Sequence, residues 1–286
     1  MSSERGDVAE AYAFCRAITH RHGANFSVGF RFLPKEKRRA VWAAYAWCRR
    51  ADDIADEPGS DVAERLDAWQ AELDCCYAGA PQHPITIALA DSLRRFAIPK
   101  SAFVALIDGC RQDMVKSRYA TFEELLHYCD LVASSISEVS LSIFGYRTEA
   151  AKEYGRNLST ALQLTNVTRD VGDDLDRDRI YIPAEEMERF GVSERDLVER
   201  RKTPAVEALI RFQVERATGW FRAAEPLLGE LAFDARFPTL LMGSVYARVL
   251  AKIRREPFAP LERRVSLSFG EKLGVVAGRL LQPHFV

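Results

Sequence analysis

Arg49-Arg50-Ala51-Asp52-Asp53-Ile54-Ala55-Asp56 is the stretch from which the fold and the chemistry of this 286-residue chain are read. On a helix, residues three and four apart share a face. Asp52 and Asp56 therefore stack one turn apart with Asp53 beside them, Arg49 lies one turn before Asp52, and Tyr45 one turn before Arg49. Val41, Trp42, Tyr45 and Trp47 make the preceding turns core-facing. A second stretch far downstream, Asn166-Val167-Thr168-Arg169-Asp170-Val171-Gly172-Asp173-Asp174, continues a polar stripe that starts at Gln163. Gln163, Asn166, Asp170 and Asp174 fall at spacings of three, four and four among Ala161, Leu162, Leu164 and Val167. Carboxylates on a core-facing helix are costly unless something positive meets them. An oxygen-rich donor set without Cys or His suits a hard cation, Mg2+ above all, which binds through a few carboxylates plus the oxygens of a phosphorylated substrate. The expectation is that the two stripes face each other across a cavity and hold a diphosphate through bridging metal ions. Solvated helix faces explain either stretch alone equally well, but explain the pair poorly.

Composition narrows the alternatives. With 48% hydrophobic residues the chain has ample material for a core, and its net charge of −1 supplies no broad basic surface, so nucleic acid is not an expected partner. No run approaches the ~20 apolar residues of a transmembrane helix. The start, Met1-Ser2-Ser3-Glu4-Arg5-Gly6-Asp7, lacks the apolar centre of a signal peptide. The cysteines at 15, 48, 75, 76, 110 and 129 form no C-x-x-C pair and read as small buried hydrophobes in a reducing cytoplasm. No Gly-x-Gly-x-x-Gly follows a strand-like run, which leaves a bound dinucleotide unsupported.

Along the chain, apolar spacing is helical almost throughout. Helices are expected over 7–22, 34–57, 61–78, 85–96, 100–115, 121–143, 150–175, 204–231 with a kink at Pro226, 238–255 and 266–281, with short helices in 183–201. The segment 23–29 reads as irregular, Ile180-Tyr181-Ile182-Pro183 as extended, and Thr121 with Glu124 as a capping box. The aspartates of the first stretch sit at the negative end of their helix dipole, which favours a compensating cation. The class is all-α, and no linker divides the chain, so 1–286 is read as a single domain.

Other constellations carry less. Glu124-Leu125-Leu126-His127 has E-x-x-H spacing but only one copy, so a chance surface pair is the better reading. His20 and His22 point to opposite sides of their helix; His22 is a secondary candidate for the cavity wall. Asp108, Arg111, Gln112 and Asp113 form a polar cluster without an assigned task. Gly270, Gly274 and Gly278 recur on the last helix, read as close packing. Its apolar residues, Phe269, Leu273, Val276, Leu280 and Leu281, read as a core face, with peripheral membrane contact as the competing role.

These residues resemble the squalene/phytoene synthase family. Leu33-Pro34-Lys35-Glu36-Lys37-Arg38-Arg39-Ala40, Tyr45-Ala46-Trp47-Cys48-Arg49 and Asp52-Asp53-Ile54-Ala55-Asp56 read like its first signature. Ala161-Leu162-Gln163-Leu164-Thr165-Asn166, Arg169-Asp170-Val171-Gly172-Asp173-Asp174 and Arg179-Ile180-Tyr181-Ile182-Pro183 read like its second. Tyr128-Cys129, Val132-Ala133-Ser134 and Phe144-Gly145-Tyr146 match in place and order.

The resemblance implies the class I isoprenoid synthase fold, helices around a central cavity, and head-to-head (1′-1) joining of two prenyl diphosphates with Mg2+, or Mn2+ in its place. It assigns metal binding to Asp52, Asp56, Asn166, Asp170 and Asp174, with Asp53 adjacent. Diphosphate contact falls to Arg49, Arg169 and Arg264. Phe26, Tyr45, Tyr128, Gln163, Tyr181 and Tyr246 would line the cavity. The catalytic weight falls on Asp52, Asp56, Tyr128, Arg169 and Asp170. Physically, an allylic diphosphate ionises when its leaving group is neutralised, and the carbocation left behind is attracted to aromatic faces. Gly23-Ala24-Asn25-Phe26-Ser27-Val28 replaces the serine-rich segment of many members and is similar to the Asn-Phe-x-Val segment of bacterial hydroxysqualene synthases. The favoured expectation is a squalene-type synthase converting C15 farnesyl diphosphate, via presqualene diphosphate, to squalene or hydroxysqualene in hopanoid synthesis. A phytoene synthase using C20 geranylgeranyl diphosphate is the alternative, followed by a terpene cyclase or prenyl diphosphate phosphatase. Quenching by NADPH or by water stays open, as does the oligomeric state. The expected location is the cytoplasm, with contact at the inner face of the membrane as an option.

Overall fold

A computed structural model describes residues 2–22, 27–57, 59, 61–279 and 284–286. Among them no strand forms; the extended pairings are two isolated bridges, Arg118 with Ile180 and Tyr146 with Leu231. In chain order the helices are α1 (Ser2–His22), α2 (Ser27–Phe30), α3 (Lys35–Asp56), α4 (Val62–Tyr77), α5 (Pro84–Leu93), α6 (Lys100–Val115), α7 (Phe122–Cys129) and α8 (Ser135–Phe144). They continue with α9 (Ala150–Arg169), α10 (Val171–Leu175), α11 (Ala184–Phe190), α12 (Glu194–Val198), α13 (Pro204–Ala224), α14 (Leu227–Glu230), α15 (Phe233–Arg255), α16 (Ala259–Glu262) and α17 (Phe269–Arg279). The all-α class read from the sequence is the class observed.

Several boundaries differ from the sequence reading, each for a local reason. The span 121–143 is two helices joined by a π-helical turn, Asp130–Ser134. Thr121 does cap α7 by accepting the Glu124 N–H, but the Glu124 carboxylate takes the Ala120 N–H and Lys116 instead of closing the box. The span 150–175 breaks at Asp170, whose φ of −101° and ψ of 12° lie outside the helical well. α13 stops at Ala224, and Pro226 precedes a separate helix, α14. α15 begins at Phe233, so Pro238 lies inside it and forgoes one backbone hydrogen bond. Pro84 and Pro204 occupy first-turn positions, where a missing N–H costs nothing.

The chain folds into two compact units, each drawn from three separate stretches: residues 1–114, 135–152 and 229–239 form the first, and 115–134, 153–228 and 240–286 the second. In the first unit Trp47, fully buried on α3, stacks on Trp69 at 5.8 Å and meets the edge of Phe103 at 4.8 Å. Leu66, Leu73, Ile85, Leu89 and Ile107 complete this core. The Lys37 ammonium joins the three stretches, reaching the Phe144 carbonyl at 2.8 Å and Asp234 at 2.6 Å.

In the second unit the loop 117–120 is clasped to 180–185 by main-chain bonds from Ile180 N–H to Ser117 O (2.9 Å), Ala184 N–H to Tyr119 O (2.9 Å) and Glu185 N–H to Ala120 O (3.1 Å). Buried Glu186 then accepts from Gln213 and Arg216 of α13, and the Arg216 guanidinium lies 3.8 Å from the Phe122 ring centre. Phe285 is fully buried and approaches so close to Gly243 that an added Cβ there would sit 2.5 Å from its ring.

Two readings of the last helix are corrected. α17 buries no residue, and Phe269 and Leu273 are exposed, so its apolar side is not a core face. A Cβ added at Gly270, Gly274 or Gly278 meets nothing within 4 Å, so these glycines do not mediate close packing within the described residues. Leu280 and Leu281 lie outside the described residues. The Asp108 and Arg111 cluster is a surface ion-pair group that also engages Asp67 and Gln70. Among the described residues no helix is long and apolar enough to cross a membrane.

The six cysteines are free thiols, five of them buried, and Cys75 is half-buried. Burial pushes the thiols of Cys15, Cys76 and Cys129 up to about 12, and those of Cys48 and Cys110 also upward. At pH about 8 the folded protein is expected to give at most one fast reaction with Ellman's reagent, at Cys75, and the remaining thiols only after denaturation. Rapid labelling of several thiols without loss of helical circular dichroism would contradict this packing.

Candidate active site

The last turns of α3 place Tyr45, Arg49, Asp52, Asp53 and Asp56 along one face, as the spacing predicts. Arg49 donates to Asp53 at 2.5 Å, while its buried Nε has no hydrogen-bond partner. Burial opposes the charge on Arg49, but the bond to Asp53 and the fields of Asp53 and Asp52 outweigh it and hold the guanidinium charged. Asp52 sits differently. Burial, only partly offset by Arg49, pushes its carboxyl up to about 7, with neighbouring Asp56 and Asp53 adding to the rise. The Cys110 thiol lies 3.7 Å from Asp52 Oδ1 as its hydrogen-bond donor. Asp56 is exposed.

The second stretch ends α9 and starts α10. Asn166 Nδ2 donates to Gln163 Oε1 at 3.1 Å, which leaves Asn166 Oδ1 buried without a hydrogen-bond partner. Arg169, only 4% exposed, grips Asp170 with two bonds of 2.7 and 2.5 Å. Arg264 Nε reaches the same carboxylate at 3.1 Å. Burial works against the Arg169 charge; Asp170 and the hydroxyl of buried Tyr246 outweigh it. Asp174 resembles Asp52: burial and the charge of Asp170 push its carboxyl up to about 7 against the pull of Arg177 and Arg179. Gly172 makes this geometry possible. A Cβ there would meet Leu261 O at 2.7 Å and Pro260 O at 3.0 Å, so α10 lies against α16 only with glycine at this position.

Three tyrosines of the second unit form a cluster. Tyr128 and Tyr181 lie 5.3 Å apart, and Tyr119 lies 5.6 Å from each. The clasp between 117–120 and 180–185 holds Tyr119 beside Tyr181, and α7 brings Tyr128. Lys116 lies 4.7 Å over the Tyr119 ring. Tyr181, Asp174 and Arg179 line a small cleft with Val167, Val171 and Leu197. Sequence reasoning missed Tyr119, because Ser117-Arg118-Tyr119 has no periodicity, and missed Cys110, whose link to Asp52 spans 58 residues. Phe26 lies outside the described residues, and the side chain of His22 does as well. Glu124 of the E-x-x-H run is engaged by Lys116.

These residues fit a divalent ion by donor chemistry. Among the described residues no three His, Cys, Asp or Glu side chains converge into a ready-made cage. Mg2+ does not require one, since it keeps waters and takes substrate phosphate oxygens as ligands. The Asn166 oxygen is buried and unspent, and the surroundings leave the negative charge of Asp52 and of Asp174 undercompensated.

The all-helical fold carries two aspartate-rich helix ends, each with arginine on a carboxylate. The sequence profile of the squalene/phytoene synthase family matches residues 19–271. A 15-cis-phytoene synthase of Synechocystis sp. is 36% identical over 280 residues, covering 93% of this chain and 83% of that protein. The crystal structure of squalene synthase HpnC from Alicyclobacillus acidocaldarius is 32% identical with a TM-score of 0.83, covering 90% of this chain and 97% of that one. A dehydrosqualene synthase crystallised with a ligand is 26% identical with a TM-score of 0.90, covering 98% and 100%. The chain belongs to the squalene/phytoene synthase family, prenyltransferases that join prenyl diphosphates head to head with a divalent metal.

Gly172→Ala is expected to lower the unfolding free energy by about 1–3 kcal/mol through overpacking against two backbone carbonyls. Thermal melting checks this, and an unchanged melting temperature would contradict the close approach of α10 and α16.

Proposed function

We propose that the protein is a squalene-type synthase that joins two molecules of C15 farnesyl diphosphate through a cyclopropylcarbinyl diphosphate to a C30 polyene or alcohol. The observation that carries this reading is the buried, unspent Asn166 oxygen, with the charge shortfall at Asp174 in support, in a chain of this family. The C15 preference draws on the squalene and dehydrosqualene synthases among the solved relatives and on the Asn25-Phe26-Ser27-Val28 segment. A second reading, phytoene synthase acting on C20 geranylgeranyl diphosphate, draws on the 36% identity to the Synechocystis enzyme.

Each residue has a task. Asp52, Asp56, Asn166, Asp170 and Asp174, with Asp53 adjacent, are the oxygen donors for a divalent ion, Mg2+ by ligand type with Mn2+ as a substitute. When bound, that ion neutralises charge on a departing diphosphate. Arg49, Arg169 and Arg264 bind diphosphate oxygens, and each already lies on a carboxylate. The allylic C–O bond breaks with its electron pair leaving on the diphosphate. The electron-poor carbon then adds to the double bond of the second substrate, with loss of a proton. Tyr128 and Tyr181, supported by Tyr119, present aromatic faces to the cation. Tyr45, Gln163, Tyr246 and Phe26 are assigned to substrate binding in this reading. Residues 1–286 act as a single family domain, in the cytoplasm.

Purified protein with Mg2+ is expected to convert farnesyl diphosphate to a cyclopropylcarbinyl diphosphate or a C30 product, with NADPH and water compared as the final quench. Exclusive turnover of the C20 substrate would select the second reading. A single-chain alcohol or cyclic product would point to a phosphatase or cyclase. Asp52→Asn and Asp170→Asn are each expected to lower turnover by about two orders of magnitude or more with helical content unchanged. Retained activity in both variants would remove the metal-site assignment.

A further inference from the structure

The first unit carries a basic, aromatic face that the proposed chemistry does not use. Between residues 16 and 39 the chain places Lys and Arg at 16, 21, 31, 35, 37, 38 and 39 against one acid, Glu36, although its overall charge is −1. Glu36 is taken by Arg95, and Lys37 by Asp234. Among the described residues no carboxylate pairs with Arg16, Arg31 or Arg38.

These cations converge. The guanidinium carbons of Arg16 and Arg38 lie 5.9 and 5.5 Å from the centre of the Trp42 ring. Arg38 also donates to the Arg31 carbonyl at 3.2 Å, and its buried Nε has no hydrogen-bond partner. His20 accepts from Arg16 Nε at 3.4 Å, and its partial burial, with the fields of Arg16 and Arg31 adding, favours the neutral ring. Aromatic surface adjoins the charge. Phe32, next to Arg31, is 51% exposed and meets Phe237 edge-on at 5.1 Å. Phe233, one helical turn before Phe237 on α15, is 87% exposed.

We propose that this face docks the enzyme on an anionic lipid bilayer, with Arg16, Arg31 and Arg38 at the phosphate level and Phe32 and Phe233 in the acyl boundary. Clustered guanidiniums without counter-carboxylates favour a surface of phosphate diesters, and exposed aromatic rings favour the interface. A soluble anion would account for the arginines but not for the exposed rings. The docking also suits the chemistry, a clause that rests on the proposed function: a C30 product has negligible solubility in water, and no described helix spans a membrane.

The test is co-sedimentation of the intact enzyme with vesicles of phosphatidylcholine alone or mixed with phosphatidylglycerol. Binding is expected only to the mixed vesicles and is expected to weaken as salt is raised. A triple variant, Arg16→Gln, Arg31→Gln and Arg38→Gln, and a double variant, Phe32→Ser and Phe233→Ser, are each expected to lower partitioning about tenfold or more. Neither touches the proposed catalytic residues, so turnover of substrate in detergent is expected to stay unchanged and separates this result from a failure of the functional proposal. Equal partitioning of wild type and both variants would overturn the assignment. So would a concentration-dependent dimer that the Phe32 and Phe233 changes abolish, which would make the face a subunit interface. Binding of free phosphate without any vesicle binding would do the same.

Discussion

The constraint on which the rest depends is negative charge held at helix ends with too little positive charge to meet it. Asp52 and Asp174 both sit where burial raises the carboxyl to about 7. Arg49 bonds Asp53 and both Arg169 and Arg264 bond Asp170, while Arg49 at Asp52 and Arg177 with Arg179 at Asp174 only partly offset the rise. Such an arrangement costs stability in the isolated chain and is relieved by a cation. It selects against ordinary structural ion pairs, in which each carboxylate has its own partner. Glu186 shows that contrast within the same protein: its buried carboxylate accepts from both Gln213 and Arg216.

The scaffold keeps these groups in place by close approach and by irregular backbone. The break at Asp170 turns its side chain toward Arg169 and Arg264, and Gly172 allows α10 to settle on backbone carbonyls of 260 and 261. The clasp between 117–120 and 180–185 then sets the spacing of the tyrosine cluster. These devices are local, and each holds its side chains through main-chain contacts.

The sequence made the helical class legible because its apolar residues recur at helical spacing nearly everywhere. It made the first aspartate stripe legible because residues three and four apart share a face, whereas the second stripe runs across the helix break at Asp170. It hid what depends on contacts between distant stretches. The break at Asp170 has no glycine or proline to announce it. Pro238 looked like a helix start, because the first turn is where proline is usually tolerated. Tyr119 and Cys110 carry no local pattern that ties them to Tyr181 and Asp52. The apolar spacing of α17 looked like a core face because periodicity says that a face is apolar, not what covers it.

Titration calorimetry of inorganic diphosphate into the protein, with and without Mg2+, tests the central claim most directly. Saturable binding that needs Mg2+ and is lost in Asp52→Asn and in Asp170→Asn alike is the predicted result. Diphosphate binding that ignores Mg2+, or that survives both substitutions, would contradict the assignment of metal-dependent diphosphate binding to the two aspartate stretches.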